Sequence, residues 1–170
     1  AIASTDDMES IIKNITDNVD NVTATGFNVV VAKQKGNGVT ADGGLEIKVA
    51  ELGVPVADAT TYKISASSSM EELVSNINNE AGGVVVASVN DEGKLVLSNS
   101  TGATINVQDT GATAGQYNGG SGFFGDTDFS ETGAGETQYT GFLRLTGNDD
   151  NPVRIEKGNK GLAFASIGSA

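Results

Sequence analysis

The chain contains no cysteine, no histidine and no tryptophan among its 170 residues. Without cysteine it has no disulfide framework, no thiolate nucleophile and no zinc–thiolate site. Without histidine, Ser–His and Cys–His nucleophilic arrangements and imidazole metal sites are excluded as well. Basic residues are scarce: 10 Lys and Arg stand against 22 Asp and Glu, a formal charge of -12. Nucleic acid and anionic membrane are held by basic surface, so neither is expected as a partner. No apolar run approaches the roughly 18–20 residues that span a bilayer, and Ala1, Ile2, Ala3 and Ser4 lack the basic and apolar regions of a cleaved signal peptide. Aromatics are only 5% of the chain, whereas there are 23 glycines alongside many Ser, Thr and Asn residues. That balance fits a soluble, turn-rich β protein with small side chains, long enough for one large domain or two small ones.

The strongest local signal lies in residues 69–97. Ser69 followed by Glu72 reads as a capping box, in which the hydroxyl and the carboxylate each satisfy a backbone N–H of the first turn, and Ser68 with Glu71 would serve equally. Met70, Leu73, Val74 and Ile77 then fall on one helix face, leaving Glu71, Glu72, Ser75, Asn76 and Asn79 toward water. Gly82 and Gly83 are expected to end the helix in a left-handed conformation. A hairpin follows: residues 84–89, a turn over 90–93, and residues 95–97. The expected packing core is Met70, Leu73, Val74, Ile77, Asn78, Val85, Leu95 and Leu97.

Residues 5–22 carry Met8, Ile11, Ile12, Ile15, Val19 and Val22 on one helical face, with Thr5 or Asp6 as the expected N-cap. Strands are expected over 27–32, 45–49 and 61–66. The pattern Met-Glu-x-aliphatic-aliphatic-x-Asn-Ile starts at both Met8 and Met70, and each copy precedes a Val-Val-Val-Ala run, ending at Ala32 and at Ala87. This reads as two degenerate copies of a helix-then-hairpin unit; convergence of two amphipathic helices on ordinary core residues is the alternative.

Residues 109–138 are rich in Gly, Thr, Ser and acidic residues, with Tyr117, Phe123, Phe124 and Phe129 as anchors of a surface excursion, a flexible linker being the other reading. Closing strands are expected over 142–145, 153–155 and 162–167. The fold class is thus α+β: two tandem helix-plus-hairpin units with additional antiparallel strands and a long Gly/Thr-rich surface loop. The divisions fall at residues 5–66, 67–108, 109–138 and 139–170.

Only oxygen chemistry remains for a reactive site. Asp126, Asp128 and Ser130 resemble the start of a calcium loop, but Glu131 and Thr137 stand where an EF-hand needs Gly and Glu. Asp149 and Asp150 read as turn formers. No carboxylate pair is singled out for glycoside hydrolysis, and Gly119-Gly120-Ser121-Gly122 lacks the Lys of a phosphate loop. Asn14-Ile15-Thr16 and Asn21-Val22-Thr23 fit an N-glycosylation sequon, both on the expected first helix. No catalytic residue, metal site or cofactor is assigned.

Leu73-Val74-Ser75-Asn76-Ile77-Asn78, the run from Gly83 to Val89, Asp91-Glu92-Gly93, Lys94-Leu95-Val96-Leu97 and Ala103-Thr104-Ile105 resemble the flagellin hook IN motif, named for its Ile-Asn pair, here Ile77 and Asn78. The motif occurs in outer domains of bacterial flagellins and in hook-filament junction and cap proteins. The ending Leu162-Ala163-Phe164-Ala165-Ser166-Ile167-Gly168 also looks like flagellins returning to the filament core, while the first copy departs from the motif at Ile15-Thr16. Neither end carries a sustained apolar heptad. The resemblance implies a non-enzymatic, surface-exposed outer fragment of a secreted flagellar filament subunit, lacking the polymerising terminal helices. Its partners would be neighbouring subunits, with glycans or host surfaces as further ones. Ser121, Thr127, Ser130, Thr132 and Thr137 are candidate O-glycan acceptors. A junction or cap protein, an adhesin-like or tail-fibre-like module using Phe123, Phe124 and Phe129, and a cation-dependent hydrolase are the alternatives.

Overall fold

A computed structural model describes residues 7–32, 35, 38–39, 41–109, 136–148 and 152–155. The described residues open with helix α1 (Met8–Asn18), whose N-cap is Asp7 rather than Thr5 or Asp6. The Ser10 N–H donates to Asp7 Oδ1 at 2.6 Å, and the Gly53 N–H donates to Oδ2 at 3.2 Å, so one carboxylate caps the helix and ties it to a later turn. Burial acts to raise the Asp7 pKa, but these bonds from Ser10 and Gly53 outweigh it and hold the carboxyl below its ordinary value. The helix stops four residues short of Val22. Asn21 takes a left-handed φ of 61°, a conformation Asn tolerates, and turns the chain into a strand. Val22 therefore starts β1 (Val22–Val31), and the second sequon lies on this turn and strand, not on a helix.

The remaining elements are β2 (Leu45–Ala50), a single 3-10 turn (Val56–Asp58), β3 (Thr61–Ile64), α2 (Met70–Glu80), β4 (Val86–Val89), β5 (Leu95–Asn99), β6 (Thr104–Asp109), β7 (Glu136–Tyr139) and β8 (Phe142–Gly147). They form two four-stranded antiparallel sheets, ordered β4-β5-β1-β8 and β3-β2-β6-β7. The α+β class holds, and the hairpin β4-β5 forms as expected, with Ala87 opposite Leu97. The hairpin of the first expected unit does not form. β1 pairs with β5 and β8, whereas β2 pairs with β3 and β6, so the two strands lie in different sheets. Pairing chose partners distant in sequence because the alternation of β1 buries Ala24, Asn28 and Val30 on one face, a pattern that fits a central strand.

Residues 136–138, expected in the surface excursion, begin strand β7 beside β6, so the chain between Asp109 and Glu136 leaves and returns at neighbouring strands. Residues 153–155 form no strand. The strand expected over 162–167 lies outside the described residues.

A single buried cluster takes Val30, Leu95 and Leu97 from one sheet, Leu45, Ile47, Ile64, Ile105 and Val107 from the other, and Met70, Leu73 and Ile77 from α2. Asn28 is buried within this frame and donates through Nδ2 to the carbonyls of Ala103 (2.9 Å) and Tyr139 (2.7 Å), linking β1 to the residue before β6 and to the last residue of β7. The two outer faces differ. The β2-β3 face presents Glu46, Lys48, Thr61 and Lys63, with a Lys63–Glu46 ion pair at 3.1 Å. The outer face of β1 and its neighbours presents Phe27, Val29, Val31, Val86 and Phe142.

Helix α1 packs on β1 near Gly26, where any side chain would collide with the Thr101 carbonyl and the Ile12 methyl. Its half-buried Glu9 is pushed above the ordinary value of 4.5, chiefly by desolvation. Bonds from Thr101 and the Leu52 N–H pull the other way, and Asp7 and Glu51 add to the rise. A carboxyl with a raised folded-state pKa contributes its stability fully at low pH and loses it as pH climbs through the folded value. Glu9→Gln is therefore expected to gain stability relative to the parent as pH rises from 4 toward 7, read as urea midpoints across pH; identical pH slopes would refute this role for Glu9.

Candidate functional site

The stretch singled out by sequence folds as a helix fastened to a sheet edge. Ser69 is the N-cap, its hydroxyl accepting from the Glu72 N–H at 3.2 Å. The return bond of the capping box is shifted by one residue: Glu72 Oε2 accepts from the Ser68 N–H (2.7 Å) and the Ser68 hydroxyl (2.8 Å). These two bonds hold the exposed Glu72 carboxyl below its ordinary value. Met70, Leu73 and Ile77 are buried and Val74 is half-buried against the core. Burying each of the three large side chains is worth about 1.5–3 kcal/mol.

The polar face of α2 is less solvated than its spacing predicts. Asn76, expected in water, is half-buried and donates to the carbonyls of Ser65 (3.4 Å) and Ala66 (3.1 Å). Glu80 accepts from the Ser65 N–H at 3.0 Å and the Ser65 hydroxyl at 2.5 Å. Both secure α2 to the end of β3. Asn78, placed with the core by sequence, is instead a surface residue with a specific task. Its Nδ2 donates to the Ala87 carbonyl at 2.9 Å, and its Oδ1 accepts from the Ala87 N–H at 2.8 Å. One side-chain amide thus occupies both backbone groups of Ala87, as a neighbouring strand would. β4 is the edge of its sheet, and an edge left open is a template for unwanted pairing.

The helix ends at Ala81, whose N–H bonds the Ile77 carbonyl at 2.8 Å. Neither Gly82 nor Gly83 has a positive φ, so the left-handed cap does not form. Gly82 is needed for closeness instead: a Cβ there would collide with the carbonyl oxygen of Asn78. The following turn is organised by Asn90, whose Oδ1 accepts from the Glu92 N–H (3.0 Å) and the Lys94 N–H (2.9 Å), while Gly93 takes φ 76°. Val85, Leu95 and Leu97 then point inward and are buried, as expected.

Among the described residues, no three Asp or Glu side chains converge to hold a metal ion. Asp126, Asp128 and Ser130 lie outside the described residues, as do Ser121, Thr127, Thr132, Phe123, Phe124 and Phe129. Thr137 lies on β7. A cleft of about 370 Å³ opens between α1, the Gly82-Gly83 turn and the 98–101 turn, with Glu9 and Glu51 on its wall. Glu9 there accepts from Thr101 and the Leu52 N–H, contacts that anchor α1. No described helix is long and apolar enough to cross a membrane.

Caps, an amide clamp and buried aliphatics make this a structural module, one that holds a helix across a sheet edge. Residues 54–101 match the family described as the flagellin hook IN motif. The clamp of α2 onto β4 lies inside the matched stretch, and the match suggests a flagellar or hook-associated structural role for it. No curated protein matches the chain.

Asn78 separates two kinds of contribution. Asn78→Ala removes both bonds to Ala87 and is expected to cost about 1–3 kcal/mol, with faster self-association through the opened edge. Ile77→Asp strands a charge in the core and is expected to leave no cooperative transition near the parent melting temperature. Thermal melts with light scattering check both; a stable, monomeric Asn78→Ala would refute the edge role, and a near-parental Ile77→Asp would refute the packing.

Proposed function

We propose that the chain is the surface-exposed outer region of a bacterial flagellin, the secreted subunit of the extracellular filament that drives motility. The match over residues 54–101 carries this reading. The formal charge of -12 and the small polar side chains suit a solvated filament exterior. Its work is mechanical: it adds a stapled, self-supporting body to the subunit while neighbouring subunits associate mainly through regions outside this sequence. The excursion leaving at Asp109 and returning at Glu136 is the variable surface element, and Ser121, Thr127, Ser130, Thr132 and Thr137 are acceptors for O-glycans.

Gold-labelled antibody raised against the chain is expected to decorate unsheared flagella of the source bacterium along their whole length. Label confined to the hook-filament junction or the tip would assign the chain to a junction or cap protein, and label on the cell body would overturn the flagellar reading. In protein isolated from those filaments, an intact mass above that of the bare sequence is expected; an equal mass would remove the glycan acceptors.

A further inference from the structure

Of the four strands at the edges of the two sheets, three are blunted. β4, β3 and β7 are each four residues long, α2 packs on the first two, and Asn78 occupies both backbone groups of Ala87 on β4. β8 is the exception. It runs six residues, Phe142–Gly147, without proline, and among the described residues β1 is its one strand neighbour. Just beyond it the Asn148 N–H donates to the Asn21 carbonyl at 2.9 Å, so that residue bonds toward β1. By the alternation of an antiparallel ladder, Leu143, Leu145 and Gly147 then turn their N–H and C=O groups away from β1, toward the open side. Side-chain cover is incomplete at the same place: Leu143 and Leu145 are only half-buried, whereas Ala24, opposite Leu145, is buried. Charge sets this sheet apart as well. Its four strands hold one charged side chain, Arg144, in a chain with 22 acidic and 10 basic residues.

We propose that this edge pairs with β8 of a second copy of the chain, antiparallel about a two-fold axis at Leu145, joining two four-stranded sheets into one. The strand is self-complementary in this register. Leu145 meets Leu145 of the second copy across a hydrogen-bonded pair, with Leu143 opposite Gly147 and Arg144 opposite Thr146, so Leu145 gains apolar cover and no like charges meet. A two-fold axis at Arg144 would set two guanidinium groups directly opposite each other, in the type of pair whose side chains lie closest. A strand of another protein would find the same backbone groups, but the matching pattern is already present within this chain. The acidity of the rest of the molecule does not forbid the contact: this sheet carries no carboxylate, and exposed charges more than about 8–10 Å away are largely screened at physiological salt. One short strand pair lies below the roughly 1,200 Å² of total surface that stable interfaces bury, so the association is weak and depends on concentration.

Sedimentation velocity of the full chain at rising concentration is expected to show a monomer–dimer equilibrium. Thr146 is exposed, so its substitution leaves the core unchanged. Thr146→Glu sets a carboxylate opposite Arg144 twice per dimer and is expected to tighten the association roughly fivefold, while Thr146→Lys sets like charges there and is expected to weaken it by about as much. Net charge alone would drive the opposite order, because the chain is already acidic. The absence of cysteine gives a test of register: Thr146→Cys mixed with Arg144→Cys is expected to form a disulfide between molecules roughly tenfold faster than Thr146→Cys with itself, because only the mixed pair lies directly opposite. A chain that stays monomeric at every concentration would overturn the proposal and leave the edge to a strand of another protein. Dimerisation constants of the two charge variants that fail to move in these opposite directions, or equal disulfide rates, would overturn it too, showing association through another surface.

Discussion

Leu73 and Ile77 are wholly enclosed, and the cluster enclosing them includes Val30 and Leu97 from one sheet and Ile47 and Ile105 from the other. That shared burial is the constraint on which the architecture rests. α2 packs on β3 and β4, which belong to different sheets, so the helix joins the two sheets at their outer strands. Strands early and late in sequence are interleaved in both sheets, and the core cannot be assembled from one half of the chain. With no disulfide, no Trp and few aromatics, the stability must come from this aliphatic packing and from accurate satisfaction of polar groups.

Asparagine supplies much of that satisfaction. Asn28 bridges two carbonyls in the interior, Asn76 and Asn78 fasten α2 to β3 and β4, and Asn90 closes the hairpin turn. An amide carries both donor and acceptor, so one side chain can imitate a peptide unit. At Ala87 this imitation is complete, with both backbone groups engaged. The Ile-Asn pair that names the matched motif therefore has two physical roles in adjacent residues: Ile77 fills the core and Asn78 closes the edge.

What was legible in sequence was local. The spacing of Met70, Leu73 and Ile77 located the face of α2, and Ser69 located its start within one residue. The hairpin beyond it followed from its turn residues. What was illegible was set by partners distant along the chain. Val29 to Ala32 looks like Val84 to Ala87, yet the first run is a central strand bonded to β5 and β8, and no neighbouring residue announces those pairings. Asn76 looked like a solvated helix position and Asn78 like a core one, because hydrogen bonds to an earlier or later strand leave no periodicity. Gly82 looked like a left-handed cap, whereas its role is to admit the Asn78 carbonyl, a contact visible only in three dimensions.

Native-state hydrogen exchange tests the central claim most directly, because it reports which elements open together. If the core under α2 unites both sheets, the slowest amides of α2, β5, β2 and β6 will share one opening free energy and one denaturant dependence, equal to those of global unfolding. Amides of α2 and β5 that open at markedly lower free energy than those of β2 and β6 would contradict it, showing that the clamped hairpin unit is a separate body and that the helix does not bind the two sheets together.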